Sequence, residues 1–231
     1  NYEPNVLSTY DNEMYFSRYG LQGMTKKKLL NELQDTFEST IESIQIYGGF
    51  WIGRYEAGIT TNRTSKNEEI TAEPLSKQGT VEKTVYPYTY VTCSQAQTLA
   101  SKISTGKSYT SSLMFGVQWD LVLKHIEVKE GTDATKLAEI QKALRSDSTS
   151  WGNYENNLWN ITNANSKYAP NGSGWTSGAY GAKDSNRYIL LSTGASDTFS
   201  KQGIYDLAGN VFEWTLEYSS DSSVPCAWRG G

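Results

Sequence analysis

Two cysteines and one histidine among 231 residues leave little thiol or imidazole chemistry available. Cys93 and Cys226 stand far apart and in no CxxC arrangement, which indicates neither a zinc site nor a disulfide framework. They read as two separate buried thiols, with one bridge between them as the alternative. His125 has no nucleophile motif beside it and flanks an apolar helical stripe, so it reads as structural. Long apolar runs are missing as well. Without 18 consecutive apolar residues, no segment inserts directly into a membrane as a spanning helix. Positive charge is not in excess, with 21 Lys and Arg against 25 Asp and Glu and a net charge of −4. A chain without a basic stripe has no means of neutralising a row of phosphates, so no nucleic-acid partner is expected. The run Lys26-Lys27-Lys28 opens a helix and reads as a solvated end. No Walker loop or dinucleotide fingerprint occurs; "YGAKDS" lacks the glycine spacing. The adjacent acids Glu68 and Glu69 fall in a polar loop, where they are solvated.

Aromatics and turn formers are abundant instead. There are 16 Tyr, 7 Trp and 20 Gly, and 37% of residues are hydrophobic, enough for the core of one large, loop-rich domain. Such a profile with few cysteines suits an exported protein. The first residue, Asn1, is not a methionine, which reads as the trace of a removed tag, signal or anchor.

Periodicity organises the first half. From Thr25 to Gln45, Leu29, Leu30, Leu33, Phe37, Ile41 and Ile44 recur at three- and four-residue steps and predict an amphipathic helix. "FWIGRYEAG", Phe50 to Gly58, predicts an aromatic strand covered on both faces and ended by Gly58. Residues 60–85 are polar and without period, a long surface excursion with a hairpin as one form of it. Thr92 followed three residues later by Gln95 is a capping box opening a second helix, with Ala96, Leu99, Ala100 and Ile103 on one face. "QWDLVLKHIEV" predicts a third helix on Trp119, Val122, Leu123 and Ile126. Thr132 to Arg145 predicts a fourth on Leu137, Ile140 and Leu144. Residues 146–200 are rich in Ser, Asn, Gly and Tyr and read as loop.

Near the C-terminal end, "GIYDLAGNVFEWT" places Asp206, a glycine turn and Glu213 around an aromatic strand. Gly209 and Asn210 tolerate the left-handed backbone that a sharp turn requires. Strand alternation then sends Phe212 and Trp214 to one face and Val211 and Glu213 to the other. The aromatics are expected in the core and the acid outside it. Arg229-Gly230-Gly231 reads as a guanidinium tie beside glycines that permit close backbone approach.

In order and spacing, "FWIGRYEAG", "PYTYVTCSQAQTLA", "SLMFGVQWDLVL", "GIYDLAGNVFEWT" and "WRGG" resemble the segments that mark the sulfatase-modifying-factor, or formylglycine-generating-enzyme-like, domain. The resemblance implies an α+β, C-type lectin-like fold, loop-rich, with helices packed on short twisted antiparallel sheets. It covers residues 48–231, lacking that family's last strands, behind an N-terminal extension, 1–47, that carries the amphipathic helix. It also implies a calcium ion held by the Asp206 and Glu213 side chains and the Gly209 and Val211 carbonyls. Calcium takes 6 to 8 oxygen ligands in flexible geometry, and a tight turn offers alternate carbonyls. The competing reading has Asp206 cap the turn while Glu213 pairs with Arg229 or a lysine.

The family's oxidases use a cysteine pair located beyond the "RGG" segment and, in aerobic members, copper(I). Neither Cys93 nor Cys226 matches those positions, and one thiolate alone is a poor copper(I) site. No catalytic residue and no copper are therefore expected. What the resemblance implies for function is a non-catalytic ligand-binding or adhesion module on a bacterial surface or phage particle. Its partner would be a surface ligand, protein or glycan, and its location the cell exterior, cell surface or virion. The alternative is a formylglycine-generating-type oxidase whose catalytic C-terminal segment is missing from this chain.

Overall fold

A computed structural model describes residues 26–103, 108–146, 150–154, 161–170, 174–177, 188–218 and 226–231, with 26–34, 36, 94, 217, 218 and 226 described by backbone alone. Its helices are α1 (Lys26–Tyr47), α2 (Cys93–Ala100), α3 (Gly116–Glu130) and α4 (Ala134–Ala143), each where apolar periodicity placed one. Helix α1 ends where Gly48 takes a φ of 77° and its N–H reaches the Ile44 carbonyl at 2.9 Å, the left-handed stop that glycine adopts without a Cβ clash. Phe37 meets Phe115 edge-on with ring centroids 5.0 Å apart. Ile44 is half-buried and Ile41 is exposed; the Leu29, Leu30 and Leu33 side chains lie outside the described residues.

Helix α2 opens on the expected reciprocal cap. Gln95 N–H donates to Thr92 Oγ1 at 3.3 Å, and Thr92 N–H donates to Gln95 Oε1 at 2.9 Å. Leu99 and Ala100 are buried and Ala96 is half-buried. In α3, Trp119, Val122 and Ile126 are buried, while His125 faces solvent. Asp133 caps α4 by accepting the Lys136 N–H at 2.9 Å, and Ile140 is the residue it buries.

The strands are short and antiparallel. β1 (Gly58–Ile59) pairs with β2 (Tyr86–Pro87), with Gly58 opposite Pro87. The expected strand over residues 50–57 does not form: that stretch is irregular and Trp51 is 92% exposed. Gly58 starts pairing rather than ending it. A Cβ there would come within 2.5 Å of Val85 Cγ1 and 2.8 Å of the Tyr86 carbonyl, so the approach of the two backbones requires glycine.

The excursion that follows is irregular, as its composition suggests, and it folds around Arg63. That side chain is buried and donates five hydrogen bonds to carbonyls: Nε to Thr89 at 3.2 Å, Nη1 to Glu68 at 2.9 Å and Glu69 at 3.1 Å, and Nη2 to Ser65 at 3.3 Å and Tyr90 at 3.1 Å. A guanidinium has five N–H donors in a fixed fork, and all of its nitrogens are used here.

Within 146–200, predicted as loop, the described residues form a three-stranded sheet in the order β4-β3-β5. Its strands are β3 (Lys167–Pro170), β4 (Thr176–Ser177) and β5 (Ile189–Leu191). Behind it lies a core of Ile161, Ile189, Leu191, Ala195 and Phe199, with Tyr168 packed against it. Complete burial of a side chain such as Leu191 contributes about 2 kcal/mol, which accounts for a sheet in a segment poor in aliphatics. A tight hairpin joins β6 (Ser200–Lys201) to β7 (Ile204–Tyr205) through Gln202 and Gly203, both at positive φ, as a two-residue mirror-image turn demands. β8 (Phe212–Tyr218) neighbours β9 (Cys226–Gly230).

Helices with small antiparallel sheets and long loops make the chain α+β. By its internal contacts it divides into two compact units: 1–52 with 92–117 and 214–228, and 53–91 with 118–213 and 229–231. Among the described residues no helix is long and apolar enough to cross a membrane.

Candidate cation site

The second unit gathers three acids, two of them expected at the site and one not. Asp206 is 1% exposed and holds a φ of 56°. One of its oxygens, Oδ2, accepts the Gly194 N–H at 2.7 Å. The other, Oδ1, is buried with no hydrogen-bond partner. Glu213 shows the same asymmetry, since its Oε2 is buried and unpartnered. The expectation that Glu213 points outward and Phe212 inward is reversed: Phe212 is 64% exposed. Burial along β8 deepens from the exposed Phe212 through half-buried Glu213 and Trp214 to buried Thr215 and Leu216 rather than alternating.

The third acid is Glu56, from the "GRYEAG" stretch. Asn210 Nδ2 donates to its Oε1 at 2.7 Å, leaving Oε2 buried and unpartnered. Asn210 is itself fixed from several sides. Its Oδ1 accepts the Leu191 N–H at 2.9 Å and Asn153 Nδ2 at 2.9 Å, and its Nδ2 also reaches the Leu191 carbonyl at 3.3 Å. Asn153 Nδ2 bonds the Ile189 carbonyl at 2.7 Å, and Asn153 Oδ1 is a fourth buried, unpartnered oxygen. Two asparagines thus lock the Glu56 carboxylate in place without neutralising it.

Backbone geometry sustains the arrangement. Gly209 and Asn210 take φ of 77° and 68°, the turn the sequence predicts. A Cβ on Gly209 would lie 2.5 Å from Asn153 N, so the parallel bridge between these residues needs glycine. At Gly230 a Cβ would fall on Glu213 Oε2 and within 3.1 Å of the Leu207 carbonyl. The expected close approach at the "RGG" segment is therefore real, and what approaches is the buried acid. Arg229 Nη2 lies 3.7 Å from Asp120 Oδ1.

The electrostatics follow from burial of like charges. Burial pushes the Asp206 carboxyl up to about 7, against the Gly194 N–H that favours the charged form. Burial also raises Glu56 well above the usual carboxylate range, and the Asp206 charge adds to it while the Asn210 hydrogen bond opposes it. Glu213 is raised by burial first, then by Glu56 and Asp206. Unpaired buried carboxylates either take up protons or meet a cation.

The unpartnered atoms of Glu56, Asn153, Asp206 and Glu213 are oxygens, the donor type that calcium selects, whereas Trp151 and Trp175 bury unpartnered nitrogens and Ser166 a hydroxyl. Val211 N–H donates to the Gly209 carbonyl at 3.0 Å, which leaves that carbonyl a second lone pair. Among the described residues no group of three or more His, Cys, Asp or Glu is arranged to hold a metal ion, so a cation here would rest on fewer acids together with carbonyl and amide oxygens. The Asp206 and Glu213 side chains and the Gly209 carbonyl supply oxygens of this kind, and Glu56 adds an acid that the sequence does not single out. Its only signal there was one carboxylate inside an aromatic run.

The thiols offer no comparable convergence among the described residues. Cys93 is 2% exposed at the start of α2, its Sγ 3.9 Å from the Thr215 carbonyl. The Cys226 side chain, and with it the question of a bridge, lies outside the described residues.

An α+β scaffold that turns tight loops around buried acids is the class that fold and site define. Within that class, a family model described as sulfatase-modifying factor enzyme 1-like domain, FGE-sulfatase, matches residues 24–230, and the chain belongs to that family. No curated protein and no solved structure matched the chain.

Proposed function

We propose that this chain is a non-catalytic ligand-binding or adhesion module of the family, displayed on a bacterial surface or phage particle, with loops organised by structural calcium. The observation that carries the reading is the set of orphaned buried oxygens on Glu56, Asp206, Glu213 and Asn153. Calcium bound there would supply positive charge to the acids and tie together the segments that bear them. Glu56, Asp206 and Glu213 would act through their side chains, and Gly209 and Val211 through their carbonyls. The chain's own chemistry at this site is to hold an ion rather than to move electrons, because it offers hard oxygens and no soft thiolate.

The loops suit recognition. Tyr, Ser, Asn and Gly combine rigid aromatic anchors with adaptable hydrogen bonding. The ligand would be a protein or a glycan outside the cell, with neither nucleic acid nor copper involved.

A second reading, a formylglycine-generating-type oxidase, draws on the enzyme in the family's description. Incubation of the purified chain with copper(I), oxygen and a cysteine-containing peptide separates the two. The binding reading expects no conversion of the peptide cysteine to an aldehyde by mass spectrometry; conversion that Cys93→Ser or Cys226→Ser abolishes would establish the oxidase instead.

A further inference from the structure

The second unit carries a cleft of about 570 Å³ that no part of the cation site lines. A tight turn forms one wall. The Thr80 N–H donates to the Lys83 carbonyl at 2.9 Å and the Lys83 N–H returns to the Thr80 carbonyl at 3.3 Å, which holds Glu82 and Lys83 against the cleft. The opposite wall is a side-chain-stabilised turn, with the Asn165 N–H on Asn163 Oδ1 at 3.0 Å and the Ser166 N–H on the Asn163 carbonyl at 3.1 Å. It presents Asn165 and Lys167. Lys167 is anchored through its backbone, its N–H on Ser192 Oγ at 3.0 Å and its carbonyl accepting the Ser192 N–H at 2.9 Å. Both walls are therefore built before any ligand arrives.

Tyr86 lines the same space, and its ring is braced edge-on by Trp175 with centroids 4.7 Å apart and planes at 70°. Thr60, Thr84 and Ser177 add hydroxyls. Lys83 and Lys167 have no carboxylate within salt-bridge distance among the described residues, and the cleft has one acid of its own, Glu82.

We infer that this cleft binds an acidic oligosaccharide, of the uronic-acid class, with the two ammoniums on its carboxylates and the Tyr86 ring against a sugar face. The inference rests on the binding-module reading and names the ligand that reading leaves open. A volume near 570 Å³ suits a ligand of two or three sugar rings, within the usual size of small-molecule sites. Hydroxyl, amide and carboxylate side chains meet the many donors and acceptors of a sugar, while the apolar faces of its rings pack on aromatics. A peptide adding as a strand needs a run of exposed ladder groups. β4, the edge strand at this cleft, has two residues.

The test uses the full chain in saturating calcium, with isothermal titration and amide chemical-shift mapping. The probes are a galacturonate trisaccharide, its neutral galactose counterpart and a hexaglutamate peptide. The uronate should bind at millimolar or lower concentration, shift resonances of residues 80–86 and 163–167, and weaken as salt rises. Lys83→Ala with Lys167→Ala, or Tyr86→Ala, should each weaken it about tenfold or more, with near-UV circular dichroism unchanged. The neutral sugar should bind more weakly than the acidic one. No uronate binding, binding indifferent to the lysine pair, or hexaglutamate binding as well as the sugar each overturns the inference. Such a failure with the calcium response intact leaves the module reading standing, whereas thiol-peptide turnover removes that reading without touching the cleft.

Discussion

Buried groups of opposite sign within one unit are treated in opposite ways. Arg63 is enclosed with every guanidinium nitrogen on a backbone carbonyl. Glu56, Asp206 and Glu213 are enclosed with one carboxylate oxygen each left unpartnered and with their like charges in mutual reach. A buried charge whose hydrogen bonds are complete holds a loop together. A buried cluster of one sign with incomplete bonds costs stability in the ion-free chain, and either proton uptake or a bound cation relieves that cost.

The largest expected effect breaks the satisfied side of the comparison. Arg63→Ala leaves five carbonyls of residues 65–90 without their donor and should destabilise the chain by about 3 kcal/mol or more. Chemical denaturation measures it, and the loss should be the same with and without calcium. A loss below about 1 kcal/mol would mean that the excursion does not depend on its arginine.

The acids should respond in the opposite sense. Glu213→Gln removes the cost of burying that carboxyl, whether as a charge or with a proton taken up, so the calcium-free chain should hold or gain about 1–2 kcal/mol at neutral pH. The same variant should lose most of any stabilisation by calcium. Asp206→Asn should behave alike; a large destabilisation of the calcium-free form by either would identify these acids as ordinary structural partners.

pH sharpens the contrast further. The folded-state value of Asp206, about 7, lies above its ordinary 3.8, and Glu56 and Glu213 move in the same direction. Between these limits the native chain retains protons that the unfolded chain has released, so stability falls as pH rises. The calcium-free melting temperature should decline from about pH 4 to above pH 7, by an amount equivalent to a few kcal/mol for the cluster. Millimolar calcium should flatten or invert that slope, because binding displaces the protons. The smallest effect lies outside the comparison: Thr92→Ala removes the α2 cap and should cost about 1 kcal/mol, read by thermal melting, with no change in calcium response.

The helices and the turn at Gly209 were legible because local chemistry decides them. Apolar residues at helical spacing, a Thr92–Gln95 capping box and a Gly-Asn pair at positive φ act within a few residues of one another. The acid site was legible only by half. Asp206 and Glu213 share a segment with the turn, whereas Glu56 is brought in from 150 residues upstream, measured to Asp206, by the Asn210 and Asn153 amides. Periodicity misassigned Glu213 and Phe212 because it identifies the two faces of a strand without showing which one a distant loop covers. The strand expected over residues 50–57 failed for the same reason. Aromatic alternation fits a pleated sheet, but pairing needs a partner backbone, and that begins only at Gly58. The sheet from β3 to β5 was missed because turn-rich composition masked the few residues, Ala169, Ile189 and Leu191, that bury it.

The central proposal, that acids of this cluster hold a cation together with carbonyl oxygens, is tested most directly by the melting temperature of the purified chain across a calcium titration that starts in chelator. Binding to the folded state alone predicts a rise that continues with the logarithm of calcium concentration above the dissociation constant, present in the native chain and largely lost in Glu213→Gln. A melting temperature unchanged from chelator to millimolar calcium, or a rise that Glu213→Gln retains in full, would contradict it.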